Sequence, residues 1–367
     1  MHKNGDKMKK IGIMTTGGDC SGLNSAIYYI ICGAKKRGWT IYGILDGTDG
    51  LVAESPNIIR LDTNILPPEQ AFIAGSFLRN GNVSQNNGFE RAVESGRVAQ
   101  FTKQLKKSLA QTKLDALILI GGNGSLSLAW QNRSIYSDMQ LICIPKTIDM
   151  DIPLTDRTLG FDTAVSQLTH FCDDLMLTAR SHHRWFVVQS MGRNCGMLAL
   201  TAGMAAGARA ILIPEIKFDV DKLVKHIKNA DTDYGIIMVS EGISLRGHSG
   251  RPADMIARKL TAAGIANRTA FPEHIQRAGN TTPNDRLLAI QMADVALDAI
   301  ANNETYVMTA LQNGEITTVG LESVVSAGRA ERDPNIENLT ISNATVDAEN
   351  PLLVAADDMG IYIGETK

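Results

Sequence analysis

The chain has 367 residues, 44% of them hydrophobic and 20% charged, with a formal net charge of −3. That length accommodates two domains, and the balance is that of a soluble globular protein, not a disordered one; the slight acidity supplies no basic stripe for nucleic acid. No apolar run approaches the roughly 20 residues of a membrane-spanning helix, and the polar, basic start Met1 to Lys10 has no apolar leader, so the expectation is a cytoplasmic protein without membrane contact.

In chain order, Lys10 to Met14 reads as a strand and runs into the glycine turn Thr15 to Gly22, where a helix opens. The pattern repeats at Leu114 to Ile120 with Gly121-Gly122-Asn123-Gly124-Ser125. A third apolar strand, Leu141 to Ile144, leads into Pro145-Lys146-Thr147-Ile148-Asp149-Met150-Asp151. Between Thr158 and Thr178, Ala164, Leu168, Phe171 and Leu175 recur at helical spacing and are assigned to the core. Strands follow at Trp185 to Gln189, Ala210 to Ile213 and Gly235 to Ser240, with helical patterns at Gly196 to Ala206 and Val220 to Asn229; Asn303 to Gly328 reads as weak strands and turns. Strands this continuously apolar are covered on both faces, so the fold class is α/β with largely parallel sheets. Cys20, Cys32, Cys143, Cys172 and Cys195 are odd in number and contain no CxxC pair, and no HExxH spacing occurs, so neither a disulfide framework nor a structural zinc site is expected.

The Lys146 to Asp151 stretch carries the chemistry of phosphoryl transfer. A carboxylate at Asp149 can take a proton from an attacking alcohol, Lys146 can balance phosphate charge, and Thr147 can hydrogen-bond a phosphate or the substrate. An acidic turn after a strand is the plainer alternative. The two glycine turns are either simple tight turns or phosphate cradles, because glycine lets backbone N–H groups at a helix N-terminus approach an anion. Two of them in one sheet, beside the Asp149 loop, favour the cradle, since ligands gather at strand C-terminal ends. Later, Arg184, Ser190-Met191-Gly192-Arg193, Arg268 and His274-Ile275-Gln276-Arg277 offer arginine forks for a phosphate dianion.

Taken together, these residues resemble the phosphofructokinase family, which includes ATP-dependent and pyrophosphate-dependent enzymes. The series runs in order through Lys10-Ile11-Gly12, Gly17-Gly18-Asp19, Gly121-Gly122-Asn123-Gly124-Ser125, Thr147-Ile148-Asp149, Gly160-Phe161, Met191-Gly192-Arg193, Ser240-Glu241-Gly242, His274-Ile275-Gln276-Arg277 and Asp285-Arg286. The resemblance implies two Rossmann-like domains: a donor-binding one over 1–155 plus about 275–325, and a sugar-phosphate-binding one over 156–274 plus about 326–367. It implies magnesium-assisted phosphorylation of the 1-hydroxyl of fructose 6-phosphate by ATP or pyrophosphate. Asp149 would be the base, Thr147 and Lys146 its neighbours, and Arg193 would stand near the transferring phosphoryl. Arg184, Arg268, His274 and Arg277 would hold the 6-phosphate, with Ile148, Met191, Gly192, Glu241, Ile275 and Gln276 lining the acceptor. Arg184 and Arg268 would reach it from a neighbouring subunit, so a homotetramer or homodimer is expected.

The donor side, expected at Gly18, Asn82, Gly122, Asn123, Gly124 and Ser125, departs from the family pattern. Asn123 stands where an aspartate usually serves magnesium, and a neutral oxygen is a weaker ligand for a hard cation; Asp151 remains as the acidic metal residue. Asn82 stands where bacterial members place an arginine on the donor phosphates, with Arg79 close by as a substitute. Met150 replaces the asparagine between the two loop acids. Gly124 leaves room for the α-phosphate of a nucleotide and favours ATP, while Lys146 is the residue of pyrophosphate users; the pair together leans to ATP. Tyr28 and Cys32 stand where regulated bacterial members carry effector-binding arginines, so control by ADP or phosphoenolpyruvate at that place is not expected. Loss on the donor side also leaves room for a phosphosugar-binding, non-catalytic subunit, and the phosphate clamp would admit a seven-carbon ketose phosphate.

Overall fold

The computed structural model describes residues 8–53, 55–81, 96–243, 250–330, 346–347 and 349–365. The chain forms two compact units, one of Met1–Thr147, Ile152–Gly160 and Asn280–Ala327, the other of Ile148–Asp151, Phe161–Gly279 and Gly328–Lys367. No helix among the described residues is long and apolar enough to cross a membrane.

In the first unit, strands β1 (Lys10–Thr15), β2 (Thr40–Ile44), β3 (Ile58–Leu61), β4 (Ala116–Gly121), β5 (Gln140–Pro145), β10 (Val307–Gln312) and β11 (Glu315–Gly320) form one sheet in the order β11-β10-β5-β4-β1-β2-β3. The central strands run parallel, with Ile11 opposite Ala116 and Ala116 opposite Gln140. Every residue of β4 is buried, as a strand covered on both faces demands. Only the edges are antiparallel: β3 on β2, and β11 on β10 through Asn313-Gly314. Both turn residues have positive φ, 52° and 85°, the conformation that gives Asn-Gly its preference for two-residue hairpins. Helices α1 (Leu23–Lys36), α2 (Gly47–Val52), α3 (Val98–Thr112) and α4 (Asn123–Gln131) connect these strands.

The second unit stacks four parallel strands, β6 (Trp185–Ser190), β7 (Ala210–Leu212), β8 (Gly235–Ser240) and β9 (Asn267–Ala270), in the order β7-β8-β6-β9. Around them lie α5 (Phe161–Ser181), α6 (Met197–Ala205), α7 (Val220–Lys228) and α8 (Pro252–Ala262). Trp185, Val187, Leu212, Leu223, Ile237, Val239, Ile256 and Leu260 make the core on one side. On α5, Ala164 and Leu168 are buried as expected, whereas Phe171 and Leu175 are half-buried and Cys172 takes the inward position. The last helices are α9 (Pro283–Ala301), α10 (Leu321–Ala330) and α11 (Pro351–Asp358); Leu321 opens a helix where the sequence reads as weak strand and turn.

The N-terminus of α9 fixes the return of the loop that carries Thr147. Thr282 caps it by accepting from Asp285 N at 3.3 Å, and the buried Asp285 accepts from Gly160 N at 3.0 Å. Gly160 has φ 95°, and a Cβ there would stand 2.5 Å from both Cβ and Sγ of Cys20. Strain and overlap add, so Gly160→Ala is expected to lower stability by about 2–4 kcal/mol in urea unfolding.

Candidate active site

In the first unit the two glycine turns pack against each other at the strand C-terminal ends. Thr16 N still donates to Ile120 O at 3.0 Å before Gly17 turns the chain at φ 76°. Gly121 has to be bare, because a Cβ would stand 2.8 Å from Thr16 Oγ1 and 2.7 Å from Ser125 Cβ. Gly122 heads α4, which has no side-chain cap from its N-cap residue and no acid in its first turn, so this helix end carries no negative charge of its own. Gly124 differs from its neighbours: a Cβ would meet nothing within 4 Å. Packing does not require glycine there, and the space is open to a ligand. Asn123 Oδ1 accepts from Ser127 Oγ at 3.5 Å. Lys146, a buried cation, donates from Nζ to the Gly18 carbonyl and from its backbone N to Gly121 O at 3.0 Å, joining both turns.

A loop that motif reading alone does not reveal completes this edge. Thr15 Oγ1 lies 2.8 Å from Ser76 Oγ and donates to Arg79 O at 2.9 Å, while Asn80 Nδ2 donates to Gly17 O at 2.9 Å. Arg79 itself sits at φ 59°, with a guanidinium 69% exposed and 3.5 Å from Asp46. Asn82 lies outside the described residues.

The chain then passes from the first unit to the second within the loop. Thr147 N donates to Leu159 O at 3.1 Å and Thr147 O accepts from Thr158 Oγ1 at 2.7 Å, which anchors the start. Ile148, Asp149 and Asp151 are buried, and Met150 between the acids adopts φ 59°, a left-handed conformation that suits asparagine or glycine better than methionine. Asp151 Oδ1 is buried without a hydrogen-bond partner.

Around Asp149 the second unit gathers the acceptor residues of the sequence. Arg193 Nε lies 3.7 Å from Asp149 Oδ2. Arg193 N donates to Glu241 Oε1 at 2.8 Å, and Met191 N donates to Gln276 Oε1 at 3.1 Å. Gln276 is buried and donates to Glu273 O, whereas His274 and Ile275 in the same 3-10 turn, Glu273–Arg277, are exposed. Gly192, at φ 132°, and Gly242 allow the backbone to close in on Cys195 O and Arg193 O respectively. Burial pushes the Asp149 carboxyl up from its ordinary 3.8 to about 6; the neighbouring Asp151 and Glu241 add to the rise, and Arg193 and Arg277 oppose it. A carboxylate with that affinity for protons is matched to base catalysis near neutrality.

Arg184 and Arg268 are not part of this gathering. Arg184 immediately precedes β6, and Arg268 lies opposite Phe186 on β9, so both stand near the strand starts. Met191 to Arg193 and Glu241 lie past the strand ends. Six strand residues at roughly 3.3 Å each separate them by about 20 Å, beyond an arginine's reach.

Comparison with known proteins bears on what this geometry serves. Residues 10–300 match the family model described as phosphofructokinase. The chain belongs to the phosphofructokinase family. An ATP-dependent 6-phosphofructokinase 1 of Nostoc is 34% identical, over 98% of this chain and 99% of its own. An ATP-dependent 6-phosphofructokinase of Chloroflexus aurantiacus is 35% identical, over 86% and 90%. The fold is that of the Saccharomyces cerevisiae phosphofructokinase structure, at a TM-score of 0.78 and 23% identity; 98% of this chain is covered, spanning about half (49%) of the yeast chain.

The raised Asp149 pKa sets a pH dependence. A base at Asp149 would work only when ionised, so on that role kcat/KM is expected to fall as pH drops through about 6. Removing the adjacent charge in Asp151→Asn lowers the pKa and moves that limb to lower pH, read at saturating magnesium because Asp151 is also the expected metal residue. A limb that stays in place in this variant belongs to the phosphate of the substrate instead.

Proposed function

We propose that this chain transfers a phosphoryl group from ATP to the 1-hydroxyl of fructose 6-phosphate, giving fructose 1,6-bisphosphate in glycolysis. The observation that carries the proposal is the buried Asp149 carboxylate, its pKa pushed up to about 6, beside Arg193 in a chain of this family. In this reading Asp149 takes the hydroxyl proton as the oxygen attacks the γ-phosphorus in line and the bond from that phosphorus to the departing ADP breaks. Arg193 draws off negative charge from the transferring group, and Thr147 and Lys146 orient it. Glu241, Met191 and Gln276 hold the sugar, and His274 and Arg277 face its 6-phosphate. On the proposed assembly, Arg184 and Arg268 complete the phosphate clamp of a second copy in a homodimer or homotetramer, since the length of β6 keeps them from their own chain's site.

Gly18, Gly122, Asn123, Gly124 and Ser125 are the proposed donor contacts. The open space at Gly124 and the names of the relatives support ATP; Lys146 is the feature that pyrophosphate use would share. Magnesium, which neutralises charge on the donor phosphates when bound, suits the orphaned oxygen of Asp151. No group of three acids, histidines or cysteines placed to hold a metal occurs among the described residues, and magnesium does not need one: it keeps several waters and takes one or two carboxylates with phosphate oxygens. The neutral Asn123 is the second proposed ligand and predicts a modest affinity.

Two measurements test this reading. Purified protein with magnesium is expected to phosphorylate fructose 6-phosphate with ATP and not with pyrophosphate, and Asp149→Ala is expected to lose at least 10²-fold in kcat while still binding fructose 6-phosphate by calorimetry. Absence of turnover with either donor from a protein that binds the sugar phosphate would make it a binding subunit. On the donor side, Arg79 supplies the cation in place of Asn82. Arg79→Gly relieves a positive φ, so its Tm is expected to hold or rise, while the KM for ATP rises tenfold or more and that for fructose 6-phosphate stays within twofold.

A further inference from the structure

The turn that carries Arg193 is held through its backbone by side chains from three other segments. Gln276 accepts from Met191 N, Glu241 accepts from Arg193 N, and Glu215 Oε1 accepts from Gly196 N at 2.8 Å. The first two belong to the acceptor machinery already described. Glu215 does not: it follows β7 in Ile213-Pro214-Glu215, and no motif points to it. Inside the turn Cys195 N donates to Gly192 O at 2.9 Å, and Cys195 Sγ meets Met150 O at 4.0 Å, so the turn also rests on the catalytic loop.

Gly196 is the N-cap of α6 and brings no side-chain cap of its own. Glu215 accepts instead from the N–H of the N-cap residue itself, one of the donors left over at a helix end that favours negative charge. The fit is close, since a Cβ on Gly196 would stand 2.6 Å from Glu215 Oε2. Oε1 also accepts from Val346 N at 3.2 Å, which ties the start of the C-terminal segment to the same atom.

Arg193 adopts φ 50°, which costs a residue with a Cβ about 1–2 kcal/mol, so contacts from outside the turn have to offset it. Glu241 fixes the peptide of Arg193 and Glu215 fixes the far end of the turn. We propose that Glu215 is a positioning residue that keeps Arg193 beside Asp149, an inference that rests on the phosphotransferase reading. The plainer alternative is a helix cap that contributes stability alone.

Two variants of similar volume separate these roles. Glu215→Gln keeps an oxygen that accepts from Gly196 N, and Glu215→Met removes it. Glu215→Met is expected to lose tenfold or more in kcat, with the Kd for fructose 6-phosphate within threefold, while Glu215→Gln stays within threefold of the parent in both. In an Arg193→Ala background the Met substitution is expected to add no further loss, because the residue it positions is gone. Hydrogen exchange of the 191–198 amides provides a readout independent of turnover: it is expected to speed up in the Met variant and not in the Gln variant. Equal kcat in the two variants, or an undiminished loss in the Arg193→Ala background, would overturn the proposal. If the parent enzyme shows no turnover, the phosphotransferase reading fails, and equal exchange in the two variants would then overturn the role of Glu215 on its own.

Discussion

The function proposed for the cluster around Arg193 depends on keeping the Asp149 carboxylate buried beside that arginine. A carboxylate taken from water and placed next to a second acid resists ionisation, and a base that never ionises is useless. Arg193 and Arg277 limit the rise to about 6, high enough for strong proton affinity and low enough for ionisation at neutral pH. That balance explains why Arg193 is gripped through its backbone. Its guanidinium is 71% exposed and the ion pair is 3.7 Å long, so the pair by itself would not hold the arginine in place.

The backbone shows the same economy. Met150 and Arg193 both sit at positive φ, on the two segments that face each other, and Arg79 does so beside the donor turns. None of these residues has the side chain that such a conformation prefers, so surrounding contacts have to impose it. Other residues outside the site, such as Lys113 and His183, share this conformation, so the strain at these three positions is tied to the site by the contacts that impose it and not by positive φ alone. Glycines serve the opposite purpose where packing leaves no room, at Gly121, Gly160, Gly196 and Gly242. Gly124 is the exception, with neither positive φ nor crowding to explain it.

Much of this was legible in the sequence because the chemistry sits just past apolar strands. Thr15 to Gly22, Gly121 to Ser125 and Lys146 to Asp151 each interrupt a hydrophobic run abruptly, and each lies at a strand C-terminal end. The strands β2, β3 and β9 were not legible. Gly43 breaks the first, charged residues interrupt the other two, and their pairing with a strong neighbour decides their state. Contacts between distant segments were equally hidden: nothing local in Glu241 announces that it accepts from Arg193, 48 residues away, nor in Asn80 that it bonds the Gly17 carbonyl. Such pairings are decided by topology, and motif reading finds only the partner that stands in a motif.

The buried base also bears on stability. With its folded pKa at about 6 against an ordinary 3.8, Asp149 binds a proton more readily in the folded chain than in the unfolded one. Its contribution is neutral below about pH 4, where both states are protonated, and turns progressively unfavourable as pH rises from there to 6, levelling off at up to about 3 kcal/mol above that. The fold thus carries its largest penalty from this residue in the pH range where the residue is chemically useful. Compensation has to come from interactions that do not titrate there. The hydrogen bond that the Thr158 hydroxyl donates to Thr147 O is of that kind, and it secures the start of the stretch in which Asp149 lies. Stability that does not depend on the ionisation of Asp149 is therefore supplied where the loop begins, at Thr147 and Thr158.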